Sequence, residues 1–146
     1  MKYSYKLSDA VHILSYIYIY QNDDLSSRAI ANSIESNPSI VRGLMSDLRE
    51  AKLIITHKGA AKPELAKRPE EISLLDVYQA LNMDHHLLHI DPKTNPQCIV
   101  GGNIQESLDQ FYGRIHAAAY QEMNQISLAD VISDILERQK QKENSK

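Results

Sequence analysis

Two short amphipathic patterns lie back to back between Leu25 and Leu53, LSSRAIANSIESNPSIVRGLMSDLREAKL, and the polar run Glu35-Ser36-Asn37 before Pro38 leaves only a tight turn between them. In the second pattern Val41, Leu44, Met45 and Leu48 fall at i, i+3, i+4 and i+7, which gathers them on one side of a helix. Asn37 is a good N-cap, and Pro38 suits the first helical position, where its missing N–H is not needed. This helix therefore starts sharply, with Ser39, Arg42 and Gly43 on its outer face. In the first pattern Ile30 and Ile34 face inward, Ala31 is small enough for close packing, and Ser26 or Ser27 can cap. A short helix, a three-residue turn and a longer helix that opens with small polar and basic residues read as a helix-turn-helix. The same pattern also serves αα-hairpins that never meet DNA.

The remaining composition narrows the class. With 146 residues, 42% hydrophobic, and only five Gly and five Pro, the chain is expected to form one globular, largely helical domain, with or without an appended helix. No apolar run approaches the ~20 residues of a membrane span and no cleavable signal pattern opens the chain, so a cytoplasmic location and no membrane partner are expected. A single cysteine, Cys98, excludes an internal disulfide framework and fits a reducing compartment. The net charge of -3 divides unevenly: residues 1–68 hold ten Lys and Arg against seven Asp and Glu, residues 69–146 six against twelve. A basic front half can draw phosphate to one surface while the acidic half keeps the other soluble; chance asymmetry in a short chain gives the same count.

Taken in order, MKYSYK is a short basic arm, and Ser8 with Asp9 is the expected start of a helix over Ala10–Tyr20 that is apolar nearly all round. Its His12 suits a satisfied core or interface histidine. After the helix-turn-helix, Leu53–Thr56 and Glu64–Ala66 form two short β-rich runs, a hairpin or wing whose tip carries Lys58 and Lys62, with Lys67 and Arg68 on the return. Ser73 and Asp76 make a capping box for a helix to about Leu81, and ISLLDV at 72–77 is nearly repeated as ISLADV at 126–131. Residues 82–103 form a loop with His85, His86, His89, Asp91, Cys98 and Gly101-Gly102. Next, Ile104, Leu108, Phe111, Ile115 and Ala119 trace a seam through a helix of about 20 residues, which needs a second helix to cover it. A last helix from Ser127 to about Gln139 is expected to bury Leu128, Val131, Ile132, Ile135 and Leu136, ahead of a frayed charged tail.

This order, and the wording at four anchors, resembles the bacterial Rrf2 (Rrf-two) family of winged helix-turn-helix transcription regulators, which includes iron-sulfur-cluster and cysteine-metabolism repressors. The anchors are MKYSYKLSDAVHIL, NPSIVRGLMSDLREAKLI, LAKRPEEISLLDVYQAL, and Cys98 with IVGGNI and the closing ISLADV; together they cover nearly the whole chain. The resemblance implies a mainly α fold with a small β-hairpin wing and a long C-terminal dimerisation helix. Residues 1–81 would be the DNA-binding unit, 82–102 a sensor loop, and 103–146 the dimerisation helices and tail. It carries the major-groove contacts to Ser39, Arg42 and Gly43, to which the basic character of the front half adds Lys2, Arg28, Lys58 and Lys62. The family's Gly-Gly-aromatic wing turn is replaced here by Lys62-Pro63-Glu64, and its three loop cysteines are reduced to Cys98. One thiolate cannot hold an iron-sulfur cluster, so no cofactor and no metal are expected, and Cys98 stands either as a packed small hydrophobe or as a candidate redox-sensing thiol. The three histidines have no regular metal-ligand spacing, although His85 and His89 would share a face if their stretch were helical. The chain is thus expected to be a homodimeric regulator, most simply a repressor, bound to double-stranded operator DNA. The alternative is a dimeric helical interaction module that has lost DNA binding. No nucleophile elbow or phosphate-binding glycine loop supports an enzyme.

Overall fold

The computed structural model of the chain describes residues 4–57 and 62–145. Its first helix, α1 (Lys6–Ile19), begins earlier than Ser8. The Ser4 hydroxyl accepts the Lys6 N–H at 3.2 Å, which occupies one of the donors a helix start leaves over, and the N-cap is Tyr5, three residues before Ser8. Ala10, Ile13, Leu14 and Ile17 are buried, whereas Tyr18 and Tyr20, within the stretch that is apolar nearly all round, sit exposed at the helix end. The His12 ring is satisfied by the Ser33 hydroxyl on the next helix at 2.8 Å.

The helix-turn-helix is α2 (Ser27–Ile34) and α3 (Pro38–Glu50). Ser26 caps α2 through the Ala29 N–H, and Asn37 caps α3 through the Ile40 N–H at 3.0 Å. Between them Glu35 takes the left-handed conformation at φ 59°, and Ser36 N–H reaches back to Ala31 C=O at 3.0 Å. The end of α3 is built in the same way: Lys52 stands at φ 64° and Leu53 N–H donates to Leu48 C=O at 2.9 Å. Both are Schellman closures made without glycine, at a cost of about 1–2 kcal/mol each that the paired carbonyls and the buried Leu53 offset. Val41, Leu44, Met45 and Leu48 are all buried, as their spacing requires.

The wing is two antiparallel strands, β1 (Ile54–Thr56) and β2 (Pro63–Leu65), with Ile54 opposite Leu65 and Thr56 opposite Pro63. Beyond a 3₁₀ turn at Pro69–Glu71, α4 (Leu74–Ala80) follows its Ser73–Asp76 capping box. The loop to α5 is not helical over 82–90, so His85 and His89 do not share a helical face. Helix α5 (Ile104–Gln125) has no buried residue, and α6 (Leu128–Asn144) opens on its own capping box, Ser127 and Asp130.

The repeated ISLLDV and ISLADV segments meet. Ser73 and Ser127 form an antiparallel bridge, flanked by Leu74 N–H to Ile126 C=O at 2.9 Å and Leu128 N–H to Ile72 C=O at 2.7 Å. Each cap thus begins a helix from one side of a shared two-residue ladder. It seats Leu128 and Ile132 in the same core as α1, α3 and α4. Ile135 and Leu136, expected to be buried, are 39% and 49% exposed because only the first two turns of α6 reach that core. The helix also runs on to Asn144, through most of the tail expected to fray.

Candidate nucleic-acid interface

With its apolar stripe spent on the core, α3 turns Ser39, Ile40, Arg42, Gly43 and Arg49 outward. The helix N-terminus lies beside that of α2, and the two bound a cleft of about 580 Å³ lined by Ser26, Ser27, Arg28, Asn37, Ser39 and Arg42. Two sets of helix-start N–H groups with two guanidinium groups at the rim favour negative charge there. A Cβ added to Gly43 would meet nothing within 4 Å, so packing inside the chain does not require glycine at this position.

Sequence reasoning missed two residues. Arg49 stands two turns from Arg42 on the same face, a spacing that was there to be read, and its Nε donates to the Thr56 hydroxyl of β1 at 3.4 Å. That contact ties α3 to the wing. Ile40, 49% exposed, is an apolar side chain left on the polar face.

The other expected sites are dispersed. Arg28 and Lys62 are exposed, on α2 and at the start of the wing's return; Lys2 and Lys58 lie outside the described residues. Of the return cations, Arg68 is held by Glu71 at 3.3 Å. The wing carboxylate Glu64 is engaged by His57 at 3.2 Å. Ile104, Leu108 and Ala119 of the α5 seam are half-buried, while Phe111 and Ile115 are 48% and 50% exposed.

Cys98 is exposed in a compact turn over residues 95–103. The backbone N–H of Gly101, and then that of Val100, hold its thiol below the ordinary range. The turn needs its glycines: a Cβ on Gly101 would lie 2.2 Å from the Asn95 carbonyl oxygen, and one on Gly102 2.9 Å from that of Pro96.

The Rrf2 family model, described as that of an iron-dependent transcriptional regulator, matches residues 3–134. The chain belongs to the Rrf2 family. It is 35% identical over 130 residues to YwnA of Bacillus subtilis (strain 168), named as an HTH-type transcriptional regulator, covering 89% of this chain and 96% of that one. A crystal structure assigned to a DNA-binding protein superposes with a TM-score of 0.71 at 35% identity, over 87% of this chain and 98% of that chain. T. potens IscR, at 21% identity and a TM-score of 0.68 over 95% and 91% of the two chains, has the same fold. So does CymR, the global cysteine regulator of B. subtilis, at 19% and 0.66 over 91% and 97%. This Rrf2 chain is therefore a winged-helix transcription regulator with DNA as its partner, and not an enzyme. The iron in the family's description finds no matching donor set here. Cys98 is the single thiol, and among the described residues no three His, Cys, Asp or Glu side chains are arranged to hold a metal ion. No helix of the described residues is long and apolar enough to cross a membrane.

Proposed function

We propose that this Rrf2 chain is a cytoplasmic, homodimeric repressor that recognises a specific operator through α3. The observation that carries this reading is the outer face of α3, where Ser39, Arg42, Gly43 and Arg49 lie free of the core beside Arg28. In a major groove, Arg42 suits guanine O6 and N7, Ile40 suits a thymine methyl, and Gly43 lets the helix backbone come close. Arg49, braced on the wing, takes a backbone phosphate, as do Arg28, Lys62 and the basic groups at Lys2 and Lys58. Residues 1–81 form the reading unit, 82–102 the signal-receiving loop with Cys98 as the group an oxidant would reach, and 103–146 the subunit joint. The 22-residue α5, with nothing buried in the single chain and Phe111 and Ile115 half-exposed, supports that joint.

Dimer symmetry sets the expected footprint. On the DNA upstream of its own gene, the protein should protect two dyad-related segments whose centres lie about 10 bp, or a multiple of it, apart. A single unsymmetrical protected segment would count against a dimeric reader.

A further inference from the structure

Residues 82–88 form a strap between the recognition helix and α5. At one end the Asn82 N–H donates to Asp47 Oδ2 on α3 at 3.2 Å, and Lys6 Nζ donates to the Asn82 carbonyl at 2.8 Å. At the other end the Tyr120 hydroxyl of α5 donates to the His85 carbonyl, and the Leu88 N–H donates to His116 Nε2, also on α5, at 3.0 Å. That last bond carries a chemical condition. An imidazole nitrogen accepts only while it holds a lone pair, so the bond exists for a neutral His116 with its proton on Nδ1. A protonated ring donates from both nitrogens and would set N–H against N–H.

The surroundings make protonation more disruptive. The His86 ring lies 6.0 Å from that of His116, and His89 lies 6.5 Å from His86. Both His86 and His89 already point a nitrogen at one carboxylate, Asp84, at 2.8 and 3.4 Å. From α5, Asp109 and Tyr112 close the small cleft in front of His116, and Tyr120 stacks on its ring. From α4, Tyr78 meets both His85 and Tyr120. A proton on His116 therefore removes the strap's acceptor and adds a cation beside two imidazoles that share one carboxylate.

We propose that His116 is a proton-sensitive latch: neutral, it fastens the Leu88 end of the 82–88 strap to α5, and protonated, it releases that end, leaving the Tyr120–His85 bond as the strap's remaining hydrogen bond to α5 and so loosening the tie between α5 and α3. Histidine is the side-chain type that changes charge in the range where such a device is useful. The DNA part of the test rests on the function proposed above; the latch itself does not.

Amide exchange at Leu88, corrected for the intrinsic effect of pH, reads the latch directly when followed from about pH 8 to about pH 5.5. In the wild type, protection should fall about fivefold, the factor one ordinary hydrogen bond represents, while the buried amide of Leu48 keeps its protection. His116→Gln, whose side-chain oxygen accepts at every pH, should abolish that fall. His116→Phe, with no acceptor, should leave Leu88 unprotected throughout, and it decides the matter if the Gln variant does not fold. Unchanged wild-type protection, or an equal fall in His116→Gln, overturns the latch. Operator affinity should weaken several-fold over the same range in the wild type and not in His116→Gln. A latch that opens with affinity unchanged overturns the coupling to α3. Absence of operator binding at every pH counts against the functional reading and leaves Leu88 exchange to decide the latch.

Discussion

Replacing Arg42 with alanine should lower affinity for the proposed operator about ten- to a hundredfold, the worth of one bidentate arginine contact to a base. The side chain is exposed and makes no ion pair among the described residues, so its loss leaves folding untouched and the effect falls on DNA alone. Two readings of Arg42 separate in the same experiment. A guanine-reading arginine takes specificity with it: the variant tolerates a changed base at one position of each half-site. A phosphate-holding arginine takes only affinity, uniformly across sequences, and lowers the slope of log K against log salt by about one. Anisotropy titrations of wild type and variant on the operator and its single-base variants, at two salt concentrations, distinguish them. The cleft that Arg42 shares with Arg28 and the two helix starts favours an anion nearby. The exposed Ile40 and the open space at Gly43 favour base contact within the same turn.

In the proposed homodimer, Phe111→Glu should separate the two chains. Half of Phe111 is open to solvent in the single chain, so a carboxylate there is tolerated by the isolated subunit. Against a second α5 the symmetry places two carboxylates in an apolar seam, where desolvation of each costs several kcal/mol. Sedimentation should then show one chain where the wild type shows two, with helical content unchanged by circular dichroism. Operator affinity should drop by about a hundredfold or more, because two half-sites no longer bind as one event. A variant that remains dimeric would move the subunit joint away from α5, toward the exposed Ile135 and Leu136 of α6.

What the sequence disclosed was mostly local. Asn37 with Pro38 announced the start of α3, and Ser73 with Asp76 and Ser127 with Asp130 announced α4 and α6, because a cap and its helix lie within four residues of each other. The stripe of Val41, Leu44, Met45 and Leu48 was legible for the same reason. What stayed hidden depends on distant partners. That the two ISL segments pair with each other is a contact across more than fifty residues, and no periodicity encodes it. Ile135 and Leu136 carry the same spacing as Leu128 and Ile132, yet the core ends before them. The outward placement of Ser39, Arg42 and Gly43 followed from the stripe they avoid, while their expected contact with DNA came from the family resemblance. The spacing of Arg49 from Arg42 was legible but its contact with the wing's Thr56 was not, and the strap of Leu88 on His116 joins residues 28 apart.

Selective reading of DNA by α3 is tested most directly by a competition titration. Labelled DNA from upstream of the gene is bound at moderate salt and displaced by the same duplex or by one of equal length and composition with its sequence shuffled. The shuffled duplex should compete at least about a thousandfold more weakly, the lower end of what specific regulators achieve. Equal competition by the two would mean that the exposed face of α3 supplies only charge, and would contradict selective reading.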